Sequence, residues 1–247
     1  MIRRMQYRCS FLEGIEDTKL SAAIETCRQQ SLAGIEAGRL CNVSFYRYEQ
    51  MGFIYLEEIV PDEAAQDHAQ GGIRPEELFA ALRPYLKRWP REEGDVCFAP
   101  MINVYYHHQP TGDLAAWEEA RRQPGKQRIG RIAFVYPEKL PSYVRYHQAI
   151  VEEGLLMGDQ YAYISLHENL LFSYFEEPRT NVNISGKAAE STVINDWLKA
   201  DPESHFDREK AQGSNFLVIP CLFSEERIEV LEKEAACEKA QHPDEGE

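Results

Sequence analysis

Two stretches of this chain repeat one order of elements, and that order constrains the fold more than any other feature of the sequence. Arg8-Cys9-Ser10-Phe11-Leu12 has the apolar character of a strand, and the pattern predicts a helix over about 17–37. Two aromatic-rich strands follow, 41–48 and 52–59, joined by a short turn at Glu49-Gln50. A second helix is expected over 75–89 with Pro75 in its first turn, and 101–106 closes the unit as a fourth strand. The succession restarts at Arg131-Ile132-Ala133-Phe134-Val135. A helix over about 141–157, stopped by Gly158, leads to strands 160–166 and 170–176, which turn at His167-Glu168-Asn169. A helix near 191–199 and a strand at 216–221 complete the second unit.

Both units read β-α-β-β-α-β, the ferredoxin-like arrangement. The echo is strongest in the third strand, where Phe53-Ile54-Tyr55-Leu56-Glu57-Glu58 lies over Phe172-Ser173-Tyr174-Phe175-Glu176-Glu177. A four-stranded sheet with helices on one face leaves its other face bare, and two such sheets packed together bury it. The expected fold class is therefore α+β: tandem ferredoxin-like repeats forming a pseudo-dimer that resembles a dimeric α+β barrel. The expected division is a first repeat over 1–108, a linker over 109–127 with a short helix at 114–122, a second repeat over 128–223, and an acidic helix and tail over 224–247.

Charge and cysteine usage narrow the function classes. The 41 acidic and 27 basic residues give a net charge of −14, which offers no general pull toward phosphate backbones or anionic membranes. The six cysteines are widely spaced and include no C-x-x-C pair, so reduced thiols in a cytoplasmic protein are expected. No long apolar run predicts a membrane span, and no signal peptide is expected from the opening residues. Arg83, Lys87, Arg88 and Arg91 are followed by Glu92, Glu93 and Asp95, and read as an ordinary surface rather than a nucleic-acid footprint. No phosphate-cradling glycine loop or dinucleotide fingerprint is present, and neither a metal nor a cofactor is expected.

The candidate chemistry lies in Pro141-Ser142-Tyr143-Val144-Arg145-Tyr146-His147. Tyr143 and His147 are four apart and so share one helix face, where an imidazole can exchange a proton near neutrality beside a phenol. Glu57-Glu58 and Glu176-Glu177 do not form catalytic carboxylate pairs, because neighbours on a strand point to opposite faces. His107-His108 is disfavoured as a joint metal site for the same reason, and a surface or interface role is expected instead.

Several features in order carry a family resemblance. They are Arg131-Ile132-Ala133-Phe134-Val135, the Tyr143-x-x-x-His147 helix, Gly158-Asp159-Gln160-Tyr161-Ala162, Asn169-Leu170-Leu171-Phe172 ending at Glu176, and Trp197. Together, from Arg128 to Phe223, they resemble the L-rhamnose mutarotase family. The resemblance implies an isomerase that interconverts the α and β anomers of a 6-deoxyhexose. It implies His147 as acid/base, Tyr143 as its partner, and Tyr161 and Trp197 as groups around the monosaccharide. The first repeat has no histidine in its long helix and is expected to be degenerate, supplying the partner sheet within the chain while leaving further self-association open. Two other readings stand beside this one: a non-catalytic sugar-binding or regulatory module, and an oxygenase or isomerase acting on another small ligand.

Overall fold

The structure is a computed structural model that describes residues 1–60, 72–91, 94–110, 112–155, 158–179, 184–187 and 189–233. Ten strands form two antiparallel five-stranded sheets, covered by helices on their outer faces. In chain order the elements are β1 (Ile2–Ser10), α1 (Asp17–Glu36), β2 (Leu40–Tyr48), β3 (Met51–Ile59), α2 (Pro75–Leu78), β4 (Ala99–Pro100), β5 (Ile102–Tyr106) and α3 (Leu114–Glu119). There follow β6 (Gln127–Phe134), α4 (Leu140–Glu153), β7 (Tyr163–His167), β8 (Leu170–Glu177), α5 (Ile184–Lys187), α6 (Thr192–Lys199), β9 (Leu217–Ile219) and β10 (Cys221–Glu226). Among the described residues no helix is long and apolar enough to cross a membrane.

The sheet edges differ from the sequence expectation. The first sheet runs β10-β2-β3-β1-β4 and the second β5-β7-β8-β6-β9. The strand expected over 101–106 forms as β5 but crosses to pair with β7 of the other sheet, and the two-residue β4 just before it stands beside β1 instead. The last two strands behave in the same way, β9 staying beside β6 while β10 crosses to β2. Each crossing strand carries a register shift at the corresponding place, between Asn103 and Tyr105 and between Cys221 and Phe223. Such an irregularity bends a strand and re-aims its side chains, as a segment passing from one sheet to another requires.

Local sequence explains most of the remaining boundaries. The helix expected over 75–89 survives only as α2 and a short 3-10 turn, Ala80–Tyr85, because Pro84 has no N–H to continue it. Helix α4 ends earlier than expected, at Gly154 rather than Gly158, with Gly154 in the left-handed conformation at φ 66°. Ser191 caps α6, its Oγ accepting from Ile194 N at 3.0 Å. Residues 224–226 belong to β10 rather than to an acidic tail, and 227–233 are helical. Glu225 pairs with Arg28 at 2.7 Å, and Glu226 with Arg128, so acidic character does not keep this strand in solvent. Cys9, Cys27, Cys41 and Cys97 are buried free thiols and Cys221 is an exposed one; Cys237 lies outside the described residues.

The inner faces of the sheets meet through the residues that echoed each other in sequence. Phe53 stacks on Phe172 with ring centroids 5.0 Å apart, and Tyr55 on Tyr174 at 3.7 Å and 7° between planes. Gly130 completes the fit, since a Cβ there would lie 2.5 Å from Cδ1 of Tyr46 on the opposite sheet. Gly130→Ala is expected to destabilise the fold by about 1–3 kcal/mol, read as a lower urea midpoint with an unchanged slope.

The segment expected as a linker is the least linker-like part of the molecule. Trp117 and Arg121 enter the space between the sheets, with the Arg121 side chain 0% exposed. Trp117 and Arg121 lie three and seven residues after Leu114, one helical face, and that face is the one buried. Arg121 Nη1 and Nη2 donate to the two Glu57 carboxylate oxygens at 2.8 and 2.7 Å, and Nε donates to Glu176 Oε1 at 3.0 Å. Trp117 Nε1 donates to Glu57 at 3.1 Å, while the Tyr55 and Tyr174 hydroxyls donate to Glu57 and Glu176 at 2.6 and 2.7 Å. Burial alone would raise the Glu57 pKa, but the charge and hydrogen bonds of Arg121, helped by Tyr55 and Trp117, hold it below the usual carboxylate range. Glu57 of β3 and Glu176 of β8 thus share one cation supplied by the segment that follows α3.

Candidate functional site

The outer faces of the two sheets differ in chemistry. Under α1 and α2, the first sheet is covered by an apolar core that includes Cys9, Phe11, Leu20, Cys27, Phe45, Phe79 and Phe223. Under α4 and α6, the second sheet also has an apolar core, but hydroxyls, imidazoles and a guanidinium are set into it.

Three of the sequence-predicted site residues meet there. The Tyr143 and His147 rings stack at 3.8 Å, and the Trp197 ring lies 5.0 Å from His147 and 6.0 Å from Tyr143. His147 Nδ1 lies 2.8 Å from the Tyr143 carbonyl oxygen, which can only accept, so the proton is on Nδ1. Burial lowers the His147 pKa to about 4 against that hydrogen bond, and the ring is neutral at pH 7. Burial raises the Tyr143 pKa, so the phenol keeps its proton. On its other side His147 meets Tyr105 at 5.4 Å, whose hydroxyl is 2.9 Å from His107 Nε2. His107 is likewise held neutral, its pKa lowered to about 4 chiefly by burial and then by His108.

Tyr161 is not part of this group. It lies on the opposite, inner side of the second sheet, donating to the Trp117 carbonyl and covering Arg121 at 3.9 Å. The sequence reading placed it on a strand starting at 160, whereas β7 starts at Tyr163 and Tyr161 sits in the preceding turn. His107 and His108 lie just past the end of β5 at Tyr106, and His108 Nε2 is 3.2 Å from the Gly158 carbonyl oxygen. Among the described residues no group of three His, Cys, Asp or Glu side chains could hold a metal ion.

The residue that sequence reasoning missed is Arg131, on the outward side of β6 beside Ala133 and Val135 of the helix-covered core. Its guanidinium lies between the Phe175 and Phe216 rings, 4.8 and 4.3 Å from their centroids, and Nε donates to Ser173 Oγ at 3.2 Å. No carboxylate pairs with it among the described residues. Instead Arg179 stands over the same Phe175 ring at 4.3 Å. Burial, and then Arg179, pull the Arg131 pKa down to about 10. The signal was in the sequence: Arg131 alternates with Ile129, Ala133 and Val135, so strand periodicity already put a cation on an apolar face.

No family model matches the chain, and no curated protein matches it. The solved structures that resemble it over most of their length include the following three. A candidate monooxygenase from Fusobacterium nucleatum is 12% identical with TM-score 0.40, covering 92% of this chain and 94% of its own. A candidate monooxygenase from Lactobacillus acidophilus is 6% identical with TM-score 0.40, covering 91% and 96%. A candidate chlorite dismutase is 14% identical with TM-score 0.38, covering 89% and 94%.

The sugar mutarotase reading, with its isomerase and rhamnose assignments, is corrected. The similar structures bear the names of monooxygenases and a dismutase and not of a mutarotase. The geometry gives a physical reason as well. Anomer exchange needs a proton donor and acceptor near neutrality facing the sugar, but His147 is held neutral down to about pH 4 with its ring flanked by Tyr143, Trp197 and Tyr105.

Proposed function

We propose that this protein is a small-molecule-binding barrel built from two tandem ferredoxin-like copies, with its ligand site on the outer face of the second copy. In this reading the copies form a pseudo-dimer within one chain. The matching strand orders, the paired register shifts and the stacking of equivalent residues across the interface support that architecture.

Arg131 carries the functional reading. Arg131 is half-buried, so part of its hydration is lost with no counter-ion to replace it, and contacts with two phenyl rings offset only part of that cost. A bound anion supplies the missing charge. A planar, forked cation suits a carboxylate, and the surrounding Phe175, Phe216, Tyr105 and Tyr143 suit an aromatic body attached to it. The Tyr143 and Tyr105 hydroxyls and the neutral His107 would complete the polar shell.

The test is thermal unfolding with benzoate, 1-naphthoate and decanoate against their corresponding alcohols. A carboxylate at a hundred times its Kd is expected to add about 2.7 kcal/mol, or roughly 5–10 °C in Tm for a chain of this size. Equal shifts from acids and alcohols, or no saturable shift from any acid, would remove the reading.

A further inference from the structure

We propose that a cavity on the outer side of the first sheet binds a second ligand, a phosphorylated small molecule, through Arg74, Arg83, Arg88 and Arg91. The cavity has a volume of about 450 Å³, within the range of small-molecule sites. Its wall includes Tyr7 of β1 and the buried Cys97, and the four arginines come from three separate pieces of chain. Arg74 precedes α2, Arg83 lies in the 3-10 turn, and Arg88 and Arg91 belong to the loop that follows.

That loop is pinned rather than loose. Leu12 N donates to the Tyr85 carbonyl at 2.9 Å and Lys87 N to the Ser10 carbonyl at 2.8 Å. Trp89 and Val96 exchange two backbone hydrogen bonds at 2.8 and 2.9 Å, closing the loop like a small clasp. The arginines therefore hang from a preorganised frame, which reduces the ordering cost of binding. Arg74 has a partner in Glu77 at 3.0 Å, whereas Arg83, Arg88 and Arg91 form no ion pair among the described residues.

Charge selects the ligand class. Among the described lining residues four guanidiniums face Glu76 and Asp95, an excess of two positive charges in the cavity wall, while Glu77, outside the lining, pairs with Arg74. A ligand with at least two negative charges balances that excess, and guanidinium forks match phosphate oxygens. Among the described residues the Tyr7 hydroxyl donates to the sulfur of Met5 at 3.4 Å, a weak acceptor that a phosphate oxygen would replace. Burial, and then Glu76, push the Tyr7 pKa up to about 12, which keeps it a donor at neutral pH. The two acids and the overall negative charge disfavour a long polyanion, so a small ligand is the better match than a nucleic acid.

This site is independent of Arg131, and the experiment separates them. Inorganic pyrophosphate is titrated into the full chain by calorimetry at low ionic strength. Saturable binding is expected, weakened roughly tenfold or more for each guanidinium lost in Arg83→Gln and Arg88→Gln, and unchanged in Arg131→Met. These arginines are exposed, so the variants should retain the wild-type near-UV circular dichroism, and Arg83→Lys should recover part of the affinity. Absence of saturable binding by the wild type would overturn the proposal. So would equal affinity in the folded double variant, equal loss in Arg131→Met, or a single-stranded 20-mer oligonucleotide binding in preference to pyrophosphate.

Discussion

Arg121→Met is expected to lower the free energy of unfolding at pH 7.5 by about 3–5 kcal/mol, the usual consequence of leaving buried charges without their partner. Arg121 alone touches both Glu57 and Glu176, and all three side chains are 0% exposed. A methionine fills the volume but takes the cation from three carboxylates: Glu176 keeps Lys126 at 3.8 Å and Glu226 keeps Arg128, while Glu57 keeps no cation among the described residues. The pH dependence carries a definite sign. In the wild type the Glu57 pKa is held down, so its contribution is present above the unfolded-state value and is lost as pH falls through the folded one. In the variant burial is opposed only by the Tyr55 and Trp117 hydrogen bonds, so the folded pKa of Glu57 rises above the unfolded value and the folded state binds the extra proton. The deficit relative to wild type should therefore shrink between pH 8 and pH 5. Urea titrations at the two pH values measure this, and adding Glu57→Gln and Glu176→Gln to Arg121→Met should recover part of the loss. A methionine variant as stable as wild type at pH 7.5 would show that this ion group does not hold the sheets together.

Arg131→Met is expected to do the opposite to stability while removing function. Methionine matches the length of the arginine stem and suits the slot between Phe175 and Phe216. It also removes the cost of an uncompensated guanidinium, so the unfolding free energy should rise by about 1–3 kcal/mol. Carboxylate binding should fall by about a hundredfold, as expected for losing a charge-assisted pair in a desolvated site. Denaturant curves and calorimetry on the same preparation read both effects. A purely structural Arg131 predicts lower stability, because its ring contacts and its bond to Ser173 would be lost without gain.

The order of elements was legible because each rests on local chemistry. The turn at Glu49-Gln50 and the apolar, aromatic-rich run of 52–59 are each decided within a few residues. The match of Phe53, Tyr55 and Glu57 with Phe172, Tyr174 and Glu176 was visible as well, though nothing in one dimension says that these residues face each other. Long-range placement was hidden. Residues 102–106 read as a strand wherever they pair, and the choice of the second sheet depends on a register shift that composition does not encode. Charge misled at Arg121 and Glu226, since a charged residue reads as solvated until its partners, far away in sequence, are known. In the site, helical spacing correctly grouped Tyr143 with His147. Tyr161 was misplaced because a strand expected three residues early turns the side chains before it into apparent strand positions.

The crossing of β5 and β10 also sets the order in which the protein can become itself during synthesis. When the ribosome has reached residue 108 it has made β5, an edge for a sheet that does not yet exist. The first sheet, begun at Ile2, is incomplete until Glu226 has emerged, because β10 is its missing border beside β2. Neither sheet can close early, so the nascent chain exposes the unpaired edge of β2 from the time Tyr48 is made until Glu226 follows it. A stop codon placed before Cys221 would therefore injure the half made first.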